Sequence, residues 1–341
     1  MPMTLFPRSL FGKLFLGILL AVLASIGLYV YSIVAMPGRS HTGPLPELTR
    51  AEARSAQRLR LIVDLLADEL PERDTRHPDV LEEAAGRIRA MWEAQSLEVT
   101  EHEFEAHGET VRNLSVELEG STLPDEILVV GAHYDSCAGL PGADDNASGV
   151  AAMMELSRLF AGADVRPART LRFIAFTNEE PPHFQGETMG SLVEAKRSAA
   201  AGEDIVGMLS LECLGYFSDD PGSQKYPAPL DSFYPDTGDF IGFVGDTSAR
   251  SFVRRTIGLF REHAAFPSEG IAAPDSIPGI GWSDHWSYSQ VGYPAVMVTD
   301  TAPFRNPNYH EPTDLPDTLD YERLARVTSG LAEVIVVLVA E

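Results

Sequence analysis

The chain has 341 residues, 44% of them hydrophobic, which is long enough for a membrane segment and one large globular domain. Asp and Glu outnumber Lys and Arg by 50 to 26, and the resulting net charge of −24 argues against a nucleic-acid partner, which needs clustered basic residues. With only two cysteines, Cys137 and Cys213, the chain is neither a disulfide scaffold nor a Cys-ligated zinc module.

The first predicted element is a transmembrane segment over residues 14–36. This stretch has no charged residue and, at about 1.5 Å per residue, it can cross the ~30 Å hydrocarbon core of a bilayer. Arg8 and Lys13 precede it, so we expect a single-pass signal-anchor in the cell (inner) membrane, with residues 1–13 in the cytoplasm and the rest exported. The alternative is a signal peptide cleaved after Ala24, but the apolar pattern continues past that residue and favours a retained anchor.

Residues 37–46 have the composition of a linker, and we expect residues 47–341 to form one exported domain. Thr49 and Glu52 predict a capping box at the start of a helix that ends before Pro71. Hydrophobic periodicity predicts the elements that follow. In chain order they are a helix over 78–95, strands over 97–104 and 111–118, a strand from 127, a helix over 148–161, a strand over 169–177, a helix over 187–200, strands over 205–212 and 240–245, a helix over 248–264, a strand over 294–299 and a helix from 321.

Alternating strands and helices of this kind predict an α/β fold, with a mostly parallel central sheet covered by helices on both faces. Two segments are expected to be loops. One is the Pro- and aromatic-rich stretch over 216–239, and the other is the Gly- and Pro-rich stretch between 264 and 294.

Acidic and imidazole side chains end or follow the predicted strands. Because ligands collect beyond the carboxyl ends of the strands in an open α/β sheet, we expect these groups to meet. They are His133, Asp145, Glu179, Glu180, Glu212 and His310. Imidazole and carboxylate ligands suit Zn²⁺, with Mn²⁺ or Co²⁺ as substitutes. Since a single metal needs about three protein ligands, the surplus indicates two metals ~3.5–4 Å apart that share a carboxylate and a water.

Motifs in the same order and spacing resemble one enzyme family. G-A-H-Y-D-S, G-A-D-D-N-A-S-G, N-E-E, L-E-C-L-G-Y and Y-H-E-P-T-D are similar to motifs of the zinc-dependent exopeptidases that include aminopeptidase S, aminopeptidase Y, glutamate carboxypeptidase II and the glutaminyl cyclases. The match covers about residues 110–330 and is closest to the di-zinc aminopeptidases. It implies a phosphorylase/hydrolase-like α/β fold.

The resemblance also implies a ligand set. Asp145 would bridge two zinc ions, His133 and Glu212 would complete the first site, and Glu180 and His310 would complete the second. Glu212 departs from the family pattern, which has an aspartate at this position, so the first metal could shift, bind more weakly or be a metal other than zinc.

Three further roles follow from the resemblance. Glu179 would be the general base that takes a proton from the attacking water, Tyr309 would hydrogen-bond the developing oxyanion, and Asp135 would hold an imidazole in one tautomer.

The segment from Trp282 to Tyr288 resembles the family's S-D-H motif near the substrate pocket, so Trp282, Asp284 and Trp286 are candidate pocket residues. The alternative is that the two tryptophans, four positions apart, pack one helix face into the core.

These observations predict a membrane-anchored, extracytoplasmic di-zinc aminopeptidase acting on peptides. One alternative is a glutaminyl cyclase-like acyltransferase with a single zinc, although Asp145-Asn146 and Tyr309-His310 do not resemble the cyclases closely. A glutamate-type carboxypeptidase is disfavoured because no basic cluster near the motifs awaits a substrate carboxylate. The remaining alternative is a non-catalytic, receptor-like binding ectodomain. Loss of ligands or of the base would mark such a protein, whereas this chain has His133, Asp145, Glu179, Glu180 and His310.

Overall fold

The computed structural model describes residues 10–163 and 166–340. The chain divides after Ala35 into two compact units, and each unit is described by itself.

The first unit contains helix α1, Leu10–Val34. It begins earlier than the predicted span over 14–36, so Lys13 lies inside the helix instead of before it. By length and composition α1 could cross a membrane, although a signal sequence would pass the same test. The rest of the expected cytoplasmic tail, residues 1–9 with Arg8, lies outside the described residues.

The second unit combines helices and strands in the predicted alternation. Its helices are α2 (Arg50–Asp64), α3 (Pro78–Ala94), α4 (Gly149–Ala161), α5 (Gly190–Ala201), α6 (Arg250–His263), α7 (His285–Gln290), α8 (Ala302–Arg305) and α9 (Tyr321–Ala340). Its strands are β1 (Val99–Ala106), β2 (Glu109–Leu118), β3 (Leu123–His133), β4 (Arg169–Phe176), β5 (Asp204–Glu212), β6 (Ile241–Asp246), β7 (Ser268–Ala273) and β8 (Ala295–Thr299).

The strands form one sheet in the order β1-β2-β4-β3-β5-β8-β6-β7. The four central strands, β4, β3, β5 and β8, run parallel to one another, and β6 is parallel to β7. Antiparallel pairs join β1 to β2, β2 to β4 and β6 to β8. The predicted α/β class and mostly parallel sheet are therefore confirmed.

Helices cover both faces of this sheet. Along β3, Leu128 and Val130 pack into a large core with α2, α3, α4, α6 and α9. Ile127 and Val129, which alternate with them, point to a smaller core on the other face with Ala195 of α5. Because both faces are buried, β3 reads as a continuous apolar run in the sequence instead of an alternating one.

The capping box at the start of α2 is present, since the Glu52 N–H donates to Thr49 Oγ1 and the Thr49 N–H donates to the Glu52 carboxylate. The prediction of a loop between 264 and 294 is wrong in two parts, where β7 and α7 form. The β7 sequence, S-E-G-I-A-A, has low strand propensity, so the strand depends on parallel pairing with β6. Helix α7 has six residues, too few to show a helical period in the sequence.

Candidate metal centre

The carboxyl ends of three central strands bring most of the predicted ligands to one edge of the sheet. β3 ends at His133 and β5 ends at Glu212. Glu179 and Glu180 follow the last residue of β4, Phe176, within four positions. Since β4, β3 and β5 are parallel neighbours, these side chains meet.

The other two predicted ligands come from loops. Asp145 lies in a kinked turn, Ala143–Ser148, that leads into α4, and its own backbone dihedrals are not helical. His310 follows α8 and has a backbone φ of 56°. Both loops bring their side chains to the strand-end residues, so the structure places all six predicted groups together.

The contacts divide these groups into two sets that share Asp145. The Nε2 atom of His133 lies 3.3 Å from Asp145 Oδ1 and 3.3 Å from Glu212 Oε2. The Nε2 atom of His310 lies 3.1 Å from Asp145 Oδ2 and 3.3 Å from Glu180 Oε1. Each oxygen of Asp145 therefore faces a different imidazole, as expected of a carboxylate that bridges two cations.

The donor atoms fit zinc. Two ligands bound at ~2.0–2.1 Å around a tetrahedral ion lie about 3.3 Å apart, which matches the four distances above. The Nε2 atoms of His133 and His310 and the Oε1 atom of Glu180 are buried and have no hydrogen-bond partner. A buried polar atom without a partner lowers the stability of the fold, and a bound cation would supply the missing partner.

Asp135 supports the centre in two ways. The His133 Nδ1 atom lies 3.1 Å from the Asp135 carbonyl oxygen and 3.4 Å from its carboxylate, so a proton on Nδ1 leaves Nε2 free to bind metal. The Asp135 carboxylate also accepts the backbone N–H groups of Glu179 at 3.1 Å and Glu180 at 3.0 Å. This second role, which joins the end of β3 to the end of β4, was not predicted.

Asp314 and Asn146 hold the turn that carries Asp145. The Asp314 carboxylate accepts the backbone N–H groups of Asp144 at 2.9 Å and Asp145 at 3.2 Å. The Asn146 side chain donates to the Leu211 carbonyl at 2.8 Å and fixes the turn to β5. Sequence reasoning assigned neither residue a role, although both lie in the motifs that carry the family resemblance.

Arg73 is a further residue that sequence reasoning missed. It is fully buried, and its guanidinium donates to the carbonyl oxygens of Tyr134 at 2.8 Å, Pro141 at 2.7 Å and Gly142 at 3.0 Å. Burial lowers the pKa of Arg73 to about 10, against the opposing charges of nearby carboxylates such as Asp135. The only signal in the sequence is an arginine in a polar link between two helices, which is too common to single out.

The carboxylates of the centre are buried and close together, so their negative charges repel one another. Burial raises the pKa of Glu179 well above its ordinary value, and the charges of Glu212 and Glu180 add to the rise. Burial and Asp145 raise the pKa of Glu180 to about 7. Burial lowers the pKa of His133, but Glu212 and neighbouring carboxylates outweigh it and raise that pKa well above the ordinary value. Bound cations would offset this repulsion among carboxylates.

A cleft next to the centre is lined mainly by apolar and aromatic side chains. Its volume is about 770 Å³, part of which is open solvent, and its lining includes Glu212, Tyr309 and Trp282. The Tyr309 ring stacks on the His310 ring with centroids 4.0 Å apart. Trp282, 41% exposed, stacks on Phe304 and therefore does not pack into the core.

The other two candidate pocket residues lie elsewhere. Asp284 is fully buried, its carboxylate oxygens have no hydrogen-bond partner, and burial raises its pKa to about 7. The Trp286 ring packs against Gly281. Among the described residues, Trp282 lines the cleft, whereas Asp284 and Trp286 do not.

Residues 113–335 match the sequence profile of Peptidase family M28. The chain belongs to this family. An Escherichia coli K12 protein named uncharacterized protein YfbL is 35% identical over 286 residues, which cover 81% of this chain and 86% of that one. A Saccharomyces cerevisiae protein named probable aminopeptidase YDR415C is 28% identical over 66% of this chain, and the match spans only 56% of the longer yeast protein. The predicted zinc-dependent peptidase is confirmed at the level of the family.

Solved structures show the same fold. The LapA aminopeptidase of Legionella pneumophila superposes with a TM-score of 0.66 and 16% identity over 88% of this chain and 78% of that one. A glutaminyl cyclase of Fimbriiglobus ruber superposes with a TM-score of 0.61 and 20% identity over 89% and 99%. At these identities the likeness establishes the architecture, which peptidases and cyclases share.

Proposed function

We propose that this M28 chain is an aminopeptidase that holds two zinc ions, the first with His133, Asp145 and Glu212 and the second with Asp145, Glu180 and His310. The observation that carries the proposal is the position of Asp145, whose two oxygens face the two imidazoles at 3.3 Å and 3.1 Å. Mn²⁺ or Co²⁺ could replace zinc in such donor sets. Glu212 reaches His133 at the same distance as Asp145 does, so its extra methylene does not remove it from the first set.

Zinc held by these two ligand sets would supply Lewis acidity and would lower the pKa of a nearby water. Glu179, whose Oε2 atom lies 3.9 Å from His133 Nε2, then accepts a proton from the attacking water and returns it to the leaving amine. Tyr309 lines the cleft beside His310, where its hydroxyl can donate to the developing oxyanion.

The cleft supports a free amino terminus as the recognised end of the substrate. No Lys or Arg is among the described residues that line it, whereas Glu212 and Glu269 are. Carboxylates attract an α-ammonium group and repel an α-carboxylate, so this lining favours an aminopeptidase over a carboxypeptidase. The apolar remainder of the lining, with Phe240, Ile271 and Trp282, fits an apolar side chain at the substrate's first residue.

The proposal includes the location of the enzyme. We infer that α1 is a signal-anchor in the cell membrane, with its N-terminus in the cytoplasm and the catalytic unit on the extracytoplasmic side. The support is that large apolar side chains, among them Leu14, Ile18, Leu23 and Leu28, are exposed along α1, as in a helix surrounded by lipid.

The test compares the full chain with Glu179→Gln on aminoacyl-, N-terminal glutaminyl- and C-terminal glutamyl-peptides. We expect hydrolysis of aminoacyl-peptides, and a decrease in kcat of at least ~10² in the variant, the scale of general-base catalysis. Bound zinc is counted in both proteins, and equal counts show that the variant has lost the base and not the metals.

Three results would contradict the proposal. If Glu179→Gln had the kcat of the wild type, Glu179 would not be the general base. A single zinc with cyclisation of the glutaminyl peptide would support a cyclase. A folded chain that binds no zinc and turns over none of the peptides would support a binding ectodomain.

A further inference from the structure

A cysteine lies beside the second set of ligands. Cys137 Sγ, a carboxylate oxygen of Glu180 and a ring nitrogen of His310 all lie within 4.8 Å of one another. Cys137 is half-buried and forms no disulfide. None of the roles assigned so far uses this thiol.

The loop that carries Cys137 is held by the link between α2 and α3. The Ser136 N–H donates to the Arg73 carbonyl at 2.9 Å, and the Arg73 N–H donates back to Ser136 Oγ at 3.0 Å. The Gly139 N–H donates to the Asp74 carboxylate at 2.8 Å. These bonds hold the backbone on both sides of Cys137, and a backbone held in this way favours coordination by its side chain.

A second observation points to a ligand between these groups. Glu180 is only 4% exposed, and its Oε1 atom, which faces His310 Nε2 at 3.3 Å, has no hydrogen-bond partner. A cation placed between Glu180, His310 and Cys137 would satisfy this oxygen and give the sulfur a role. Thiolate is among the preferred zinc ligands, at about 2.3 Å.

We propose that Cys137 is a thiolate ligand of the second metal, which is then bound by Asp145, Glu180, His310 and Cys137. The first metal keeps only imidazole and carboxylate ligands. Because thiolate favours zinc over manganese, the two sites differ, and the second retains zinc under conditions in which the first exchanges it. This inference rests on the proposed two-metal site.

Cys213 is the matched control. It is buried next to Glu212, and its thiol already donates to Glu212 Oε1 at 3.2 Å. Both cysteines therefore lie near the centre, but only Cys137 belongs to a set of atoms that could surround an ion.

The experiment loads the full chain and the variants Cys137→Ser and Cys213→Ser with two equivalents of Co²⁺ and records their absorption spectra. We expect a near-ultraviolet thiolate-to-cobalt charge-transfer band in the wild type and in Cys213→Ser, and its loss in Cys137→Ser while the visible cobalt bands remain. In competition with a chelator, Cys137→Ser should release one of its two zinc ions at least ~10-fold more readily than the wild type.

A second measurement needs no variant. Alkylation of the wild-type protein by iodoacetamide, mapped by mass spectrometry, should be at least ~10-fold slower at Cys137 with zinc than without it, because a metal-bound thiolate is a weaker nucleophile. Two bound Co²⁺ without the charge-transfer band, a band that persists in Cys137→Ser, or alkylation that zinc does not slow would each overturn the thiolate ligand and leave the aminopeptidase intact. A chain that binds no metal would overturn both.

Discussion

At the scale of single residues, the proposed ligands depend on side chains outside the two ligand sets. Asp135 is the clearest case, since one carboxylate accepts the N–H groups of both Glu179 and Glu180 and its main chain orients His133. Asp135 therefore positions the proposed general base, Glu179, together with two proposed ligands, Glu180 and His133.

We predict that Asp135→Asn lowers zinc affinity by about 10- to 100-fold, the usual effect of removing a partner of a metal ligand. An amide offers one accepting oxygen, so one of the two N–H groups faces the Asn NH₂ group and is no longer satisfied. Zinc affinity and kcat are measured together. The control is Asp246→Asn, because Asp246 lies at the end of β6 and, like Asp135, accepts two backbone N–H groups, here from Ser248 and Ala249. Equal zinc affinity in both variants would contradict the prediction.

The backbone at the ligands is also unusual. Asn178, Cys213 and His310 have φ values of 58°, 48° and 56°, in the left-handed region that residues other than glycine seldom occupy. Asn178 precedes the proposed general base Glu179, Cys213 follows the proposed ligand Glu212, and His310 is itself a proposed ligand. Conformations of this kind concentrate at functional sites and need support from the surrounding structure, which here comes from bonds such as that from the Cys213 N–H to Asn146.

At the scale of elements, the turn that carries Asp145 depends on close contact between backbones. Gly142, with φ of 61°, precedes this turn, and a Cβ atom there would lie 2.3 Å from the Asp145 carbonyl oxygen and 2.7 Å from Ser136 Cβ. Glycine is therefore required for both its conformation and its size.

We predict that Gly142→Ala lowers thermal stability and zinc affinity, because the backbone that carries Asp145 must shift. Gly139→Ala is the matched control, since Gly139 has φ of 78° but open space around its missing Cβ. Both variants bear the cost of a left-handed alanine, about 1–2 kcal/mol, so the difference between them isolates the contact with Asp145. Differential scanning fluorimetry and zinc titration measure the two effects. Identical melting temperatures and zinc affinities in the two variants would contradict the prediction.

Much of the sheet was predictable because strand periodicity and the residues that end strands are local signals. His133, Glu180 and Glu212 follow apolar runs, and parallel strands necessarily place such ends together. Strand β7 was not predictable, since its pairing with β6 and not its composition makes it a strand. The pairing of Asp145 with His310 is between loops far apart in the chain, and only the family resemblance indicated it.

The helical region before the family match takes part in the centre. The match begins at residue 113, yet Arg73 and Asp74, between α2 and α3, bind the loop over 136–142. The sequence predicted only helices in this region. Its polar contacts join segments more than sixty residues apart, and contacts of this range leave no local signal in the sequence. The catalytic unit therefore needs α2 and α3 to hold its site as well as its core.

At the scale of the whole molecule, exposed apolar residues are unevenly distributed. In the second unit the large ones are scattered, as Leu61, Leu159 and Phe233 are, which is normal for a surface in water. Along α1 they are continuous, from Leu10 to Tyr31. An apolar surface of this extent needs lipid or another covering.

We predict that the full chain sediments with membranes and resists extraction at alkaline pH, whereas a chain that lacks residues 1–35 is soluble and keeps the same kcat. The reason is that the proposed site and its supporting residues lie within 36–341.

Intact mass of the protein in the membrane fraction distinguishes the two fates of α1, because a retained anchor keeps the N-terminus and a cleaved signal peptide loses about twenty-four residues or more. In spheroplasts, an N-terminal tag should resist added protease if that end is cytoplasmic. A full-length chain in the soluble fraction would contradict the anchor, and digestion of the tag would contradict the orientation.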